Sequence, residues 1–457
     1  MKLGVVILAA GQGTRMCSRL PKVLHDLAGR PLLDHAIQAA KRLAPEQVVV
    51  VYGHEGERVK GAFIEQDDLS WVEQKEQLGT GHALAQAMPA LHDVDQVMVL
   101  YGDVPLLRDK TLSSLITASM YSDLAVLTAA FDDPTGYGRV VRDQNGKILR
   151  IVEHKDASSE ELEIKEINTG ILIAKRDSME RWLGQIDNKN AQGEFYLTDV
   201  IGLAVADGVS VQTSQPKELD EVAGVNDRAQ LAYLEKIFQQ WQAEKLMQNG
   251  LGLRDPSRFD LRGALEFGQD VNVDINVLLE GTVQLGSDVS IGANTVIRNC
   301  RIGDGVEIKE NCVIEDAIIG NNCAIGPFAR IRPQTELADN ARIGNFVEIK
   351  KSHVGLGSKV NHLSYIGDCT IGEAVNVGAG TITCNYDGVN KHQTEIGDRA
   401  FIGSNSALVA PVVIGPGATI GAGSTITGKA PKETLTLTRA KQLSLKSWKR
   451  PTKKPKE

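Results

Sequence analysis

Hydrophobic positions recur every six residues through the second half of the chain. Ile319, Ile325, Ile331, Leu337, Ile343 and Ile349 form one such series, and Ile396, Ile402, Leu408, Ile414, Ile420 and Ile426 form another. One inward aliphatic per hexad suits a short strand, and three hexads make one coil of a parallel β-helix. Five-residue steps, such as Ile349 to Val354 and Ile366 to Ile371, reset the phase. The spacing predicts coils that begin near Phe267, Leu285, Ile302, Ile319, Leu337, Val354, Ile371, Ile396 and Ile414. Gly often follows the aliphatic, as at Gly344, Gly403 and Gly421, where it is expected to supply a turn conformation that other residues resist. Small residues four places on (Thr295, Ala329, Thr335, Ala418, Ser424) suit tight corners. One coil cannot bury its own inner face, so stacking must supply the core.

Before the repeats the pattern changes. Residues 1–226 alternate short aliphatic runs (Val5–Leu8, Val48–Val51, Val97–Leu100) with helical periodicity (Pro31–Leu43, Gly81–Met88). That alternation predicts a mostly parallel, Rossmann-like α/β sheet covered on both faces, with ligands at the carboxyl ends of its strands. In residues 227–250, Leu231, Leu234, Phe238 and Trp241 fall at helical spacing and Gly250 is a plausible stop, which predicts a linker helix. Residues 251–457 then form the β-helix and a basic tail, in which Lys449, Arg450, Lys453, Lys454 and Lys456 read as a solvated end.

Composition narrows the function classes. A chain of 457 residues with 42% hydrophobic and 24% charged residues is ordinary globular material of two or three domains. The net charge of −8 argues against nucleic acid or a membrane surface as a general partner. The six cysteines (Cys17, Cys300, Cys312, Cys323, Cys369, Cys384) contain no Cys-x-x-Cys pair, which fits a reduced cytoplasmic setting and no zinc site. Lys2 with Leu3–Ala10 loosely imitates a secretion signal, but the stretch is short and runs into a loop with chemistry of its own.

That loop is Leu8-Ala9-Ala10-Gly11-Gln12-Gly13-Thr14-Arg15. Glycines there let backbone N–H groups approach phosphate oxygens. The third Gly of a dinucleotide fingerprint is replaced by Met16, and the Gly-Lys-Ser/Thr of a P-loop is absent, so this is a phosphate loop of another kind. Arg15 can neutralise a polyphosphate, and Pro21-Lys22 adds a second cation. Gln74–Gly81 opens a helix. Tyr101-Gly102-Asp103 follows a strand, where a carboxylate can hold Mg²⁺ with phosphate oxygens completing its shell. Gly136–Arg139, Glu153–Lys155 and Asn168–Gly170 follow in order.

In that order, these motifs resemble the sugar-nucleotide pyrophosphorylases along the whole front half. With the β-helix behind them, the chain is similar over essentially its full length to the bacterial bifunctional N-acetylglucosamine-1-phosphate uridyltransferase and glucosamine-1-phosphate N-acetyltransferase family. The resemblance implies synthesis of UDP-N-acetylglucosamine, a precursor for the cell wall. Leu8, Ala9, Ala10 and Gly11 would contact the nucleotide, and Arg15 and Lys22 would bind the triphosphate and stabilise the transition state. Gln74, Gly79 and Thr80 would select uracil and ribose. Tyr101 and Gly102 would lie against the UDP-sugar, and Gly138, Glu153 and Asn168 would hold the sugar. Asp103 and Asn226 would ligate Mg²⁺. From the sequence alone Asn226 also reads as a helix N-cap.

On the β-helix, catalysis must be sought where the repeat breaks. His362, two residues after inward-facing Val360, sits at an outward turn position, and an imidazole suits removal of a proton from an attacking amine. Between Ile371 and Ile396 roughly eight residues are extra, around Asn385-Tyr386-Asp387-Gly388, and loops ejected from a rigid solenoid commonly build sites. The resemblance makes His362 the general base. Arg332, Lys350, Tyr365 and Asn376 would hold glucosamine-1-phosphate. Ala379, Asn385, Tyr386, Ser404, Ala422 and Arg439 would bind acetyl-CoA. Glu348, also outward-facing, is expected to orient the histidine. The family's β-helix is left-handed and its members are homotrimers. The competing reading is a single-activity nucleotidyltransferase whose β-helix only assembles or regulates.

Overall fold

A computed structural model describes residues 2–11, 13–53 and 55–453. Gln12 of the phosphate loop and Lys454 and Lys456 of the tail lie outside the described residues. The chain divides into two compact units, the first ending at Gln240, inside the helix Arg228–Gln248.

The front unit is an α/β domain of Rossmann-like type. Its main sheet runs in the order Gln212–Ser214, Leu124–Ala130, Glu166–Lys175, Gln96–Tyr101, Leu3–Leu8, Gln47–Tyr52, Leu69–Glu73. Leu3–Leu8 pairs in parallel with both neighbours, whereas Glu166–Lys175 runs antiparallel to both of its own. Every residue of Leu3–Leu8 is buried, because apolar clusters cover both faces of the sheet. From this strand the chain builds outward on one side through Gln47–Tyr52 and Leu69–Glu73, then returns to lay Gln96–Tyr101 on the other. That reversal opens a crevice at the carboxyl end of Leu3–Leu8. Among the described residues no helix is long and apolar enough to cross a membrane.

The back unit is a parallel β-helix. Its inward aliphatics stack in columns: Ile331 pairs with Ile349 and Ile349 with Ile366, and all three are buried. Thr295, Ala329, Thr335, Ala418 and Ser424 are all buried as well. Corners are turned by residues at positive φ, among them Asn276, Asn294 and Asn311, and the Asn276 amide donates to the Asn294 oxygen at 2.9 Å.

The glycines after the aliphatics serve a different end from the one expected. Gly344, Gly403 and Gly421 are not among the residues at positive φ. A Cβ on Gly344 would strike the backbone of Asn361 one coil on, and one on Gly403 would lie 2.5 Å from the Ala422 nitrogen. Glycine is required here because successive coils approach too closely for a side chain. Gly403→Ala should therefore destabilise the β-helix by about 1–3 kcal/mol through overpacking, read as a lowered denaturation midpoint with the front unit's transition unmoved.

Candidate active sites

In the front unit, a cleft of about 530 Å³ opens at the crevice. Leu8, Ala9, Ala10, Gly11, Lys22, Gln74, Gly79, Thr80, Tyr101 and Asp103 line it. A Cβ on Gly11 would meet no protein atom, so its bareness leaves room in the cleft rather than serving packing. Gly13, at φ 62, turns the loop, and a Cβ there would collide with Lys22. Gln74 is buried; its amide donates to the Gly79 oxygen at 3.0 Å, and Gly79 takes φ 112 just before the helix Thr80–Ala87. Gly102 has a packing role, since a Cβ there would come within 3.1 Å of Ala9 and Leu33. Gln77 and Glu194 also line the cleft and were not anticipated. Gln77 stood inside a quoted motif, whereas Glu194 comes from a distant loop and gave no local signal.

The charged groups converge beyond the loop. The Lys22 ammonium contacts the Asp103 carboxylate and lies 3.5 Å from Asn226 Oδ1, which also accepts from Arg15 Nη2 at 2.8 Å. Capping of the following helix falls to Asp227, whose Oδ1 accepts from Gln230 N at 2.8 Å, so the Asn226 side chain is not used as the cap. Asp103 and Asn226 thus present two hard oxygens to one cation, the Lys22 ammonium. That donor set also fits Mg²⁺, whose remaining positions waters and phosphate oxygens usually fill.

Gly138 and Asn168 are register partners, and a Cβ on Gly138 would lie 3.4 Å from a Glu153 carboxylate oxygen. Asn168 is buried with its Oδ1 unpartnered among the described residues, a polar atom suited to a ligand hydroxyl or amide. Burial pushes the Glu153 carboxyl above its ordinary range, against the Thr198 hydroxyl that donates to it at 2.9 Å.

In the back unit, one corner of the β-helix carries a column. Gly380 N donates to the His362 oxygen, Asn405 N to the Ala379 oxygen and Gly423 N to the Ser404 oxygen, at 3.2, 2.7 and 2.8 Å. Arg439 Nη1 donates to the Ala422 oxygen at 3.2 Å. His362, Ala379, Ser404, Ala422 and Arg439, far apart in sequence, are thereby drawn into one line. Tyr365 lies on the adjoining face, paired with Glu348. Arg332 donates to Glu348 at 2.7 Å, so its guanidinium reaches across that face. Glu348 is therefore engaged by Arg332, and the hydrogen-bond partner of His362 Nδ1 is Asn345 instead. Asn376 stands on a different face, between Lys359 and Phe401.

The excursion is built on Asn385, which is buried and donates to Asp368 at 2.6 Å, while Tyr386 is exposed. Its return brings Lys391, which the sequence reading passed over. The Lys391 ammonium first, then desolvation and Arg332, hold the Lys350 ammonium below its ordinary pKa. Lys350, Lys391 and Arg332 thus gather three cations here. The signal available in the sequence was a lysine inside the out-of-phase segment.

Behind Glu153, a second hollow of about 420 Å³ holds Asp199. Burial, then Asp187, Glu153 and Asp156, push its carboxyl up to about 6 from 3.8. A carboxyl with a raised folded-state pKa contributes stability below its unfolded value and loses it as pH rises through the folded one. Asp199→Asn should stabilise the front unit at pH 7 by about 1 kcal/mol after discounting solvent screening, with the gain gone below about pH 4. Thermal melts of both forms at the two pH values check it.

Comparison with known proteins adds to this geometry. Residues 5–158 match the MobA-like NTP transferase domain, 262–339 the GMPPB C-terminal domain, and 393–428 the bacterial transferase hexapeptide (six repeats). The Bifunctional protein GlmU of Idiomarina loihiensis is 55% identical over 454 residues, covering 99% of each chain. That of Methylococcus capsulatus is 55% identical over 458 residues, covering 100% of this chain and 99% of its own. The Acinetobacter baylyi protein of the same name is 53% identical over 453 residues and covers 99% of each. A nucleotide cleft and a hexapeptide β-helix in one polypeptide, matched end to end by such relatives, place this chain in the bifunctional GlmU family, as an enzyme that is both a nucleotidyltransferase and an acetyltransferase.

Proposed function

We propose that the chain makes UDP-N-acetylglucosamine in two steps, at two separate sites. On the β-helix, the amine of glucosamine-1-phosphate attacks the thioester carbonyl of acetyl-CoA and gives its proton to His362. The C–S bond breaks, and CoA leaves as a thiolate that is then protonated. In the front cleft, a phosphate oxygen of N-acetylglucosamine-1-phosphate attacks the α-phosphorus of UTP and releases pyrophosphate. The observation that carries the two-site reading over a single-activity one is the column of His362, Ala379, Ser404 and Ala422. A merely structural solenoid has no need of an exposed imidazole in line with it.

Phosphoryl transfer needs positioning and charge neutralisation more than a base. Arg15 and Lys22 supply cations where the triphosphate lies. Asp103 and Asn226 would hold Mg²⁺, which when bound adds charge neutralisation at the phosphates. Gln74, Gly79 and Thr80 sort the base and ribose, and Glu153 and Asn168 the sugar. On the β-helix, Arg332 and Lys350 take the sugar phosphate, joined by Lys391, and Tyr365 underlies the ring. Asn385 and Tyr386 border the thioester.

A homotrimer fits this reading. Asn376 stands on a face apart from Tyr365, and a second copy can bring such a residue to the cations. Phe328 and Phe346 are exposed, stacked with ring centroids 5.2 Å apart, and suited to burial against that copy. Free cysteines, most of them buried, suit the cytoplasm.

Three outcomes test the assignment. His362→Ala should abolish thiol release from acetyl-CoA with glucosamine-1-phosphate, by 10²-fold or more, while pyrophosphate release from UTP continues. Asp103→Ala should do the reverse. Loss of both activities together in a folded variant refutes two sites. Lys391→Ala should raise the KM for glucosamine-1-phosphate about tenfold, leaving that for acetyl-CoA unchanged, since removing a charged partner forfeits about 1.5–3 kcal/mol at most.

A further inference from the structure

We propose that Asn345 is a positioning residue for acetyl transfer: its side-chain oxygen holds the proton of His362 on Nδ1, leaving Nε2 as the basic atom. This rests on the reading of His362 as the base.

Asn345 and His362 are register partners at the ends of strands Arg342–Asn345 and Lys359–His362 on adjacent coils. Asn345 Oδ1 lies 3.0 Å from His362 Nδ1. The backbone around the pair is tied independently of the side chains. Leu363 N donates to the Asn345 oxygen at 3.1 Å, and the Ser364 hydroxyl to the His362 oxygen at 2.8 Å. Nε2 has no protein partner among the described residues. A neutral imidazole carries one N–H, and only its bare nitrogen can take a proton from an amine. The amide oxygen accepts and cannot donate, so it selects the Nδ1–H form. The opposite amide orientation would put an N–H against Nδ1, move the ring proton to Nε2 and remove the base.

The choice of an amide has a consequence. A carboxylate in this place would stabilise the imidazolium and raise its pKa, whereas an amide orients the ring without adding charge. The charged groups on the strands around the ring are Lys359 on its own strand and Arg342 and Glu348 on the preceding coil, with Glu348 taken by Arg332. No carboxylate hydrogen-bonds the imidazole among the described residues.

Two variants of the full-length enzyme test this. Asn345→Leu should lower kcat for acetylation tenfold or more, within the 10²–10⁴-fold that general-base catalysis contributes, with the KM for acetyl-CoA and the uridylation rate unchanged. Asn345→Asp should keep most of the activity but move the acid limb of the acetylation pH profile upward by about one unit. Should Asn345→Leu disturb folding, the Asn345→Asp profile decides alone. Wild-type kcat and pH profile in both variants would overturn the proposal, provided His362→Ala is inactive. If His362→Ala acetylates normally, the reading of His362 as base falls first and this inference falls with it.

Discussion

Coil-on-coil stacking is the constraint on which the back half depends. Each short strand donates its backbone hydrogen bonds to the coils beside it, and each inward aliphatic packs on its counterpart, as Ile331, Ile349 and Ile366 do. Stacking converts a separation of about one coil in sequence into direct contact in space. It sets Asn345 against His362 and His362 in line with Ala379, Ser404 and Ala422. The column itself needs no long loop, because the register is rigid. It also explains why glycine is demanded at Gly344 and Gly403, where the neighbouring coil leaves no room for a β-carbon.

The front half solves a different problem. Its crevice must hold a polyphosphate, and a buried run of Val and Ile cannot. Loops at the carboxyl ends of the strands supply what the strands lack. Arg15, Lys22, Asp103 and Asn226 come from three separate stretches and meet because those stretches all end at one edge of the sheet. The cations share Asn226 and Asp103 among themselves, which keeps long, flexible side chains ordered before substrate arrives. Glu153 and Asn168 form a second polar group in this unit. One is a carboxyl raised by burial, and the other is an amide oxygen without a partner among the described residues.

Much of this was legible in the chain, for identifiable reasons. A period of six is a local property, so the β-helix, its phase slips and the out-of-phase excursion were all readable. The motif order of the front half carried the nucleotide cleft, because its lining lies just after strands that hydrophobicity alone reveals. Three readings needed coordinates to change. The glycines following the aliphatics looked like turn formers but answer to a neighbouring coil. Glu348 looked free to orient His362 but is bound by Arg332. Asn226 could have capped a helix, yet Asp227 does so. The first two depended on a partner about one coil away in sequence, and Asn226 meets Arg15 and Lys22 from far back along the chain; Lys391 beside Lys350 escaped notice for the same reason.

The sequence by itself determined the two architectures and the family, because strand period, helix period and motif order are set by near neighbours along the chain. Only the tertiary structure decided which polar group each site residue meets. Hydrogen bonds and ion pairs reach about 3 Å, and which atoms come within that distance follows from the register of stacked coils and the twist of the sheet.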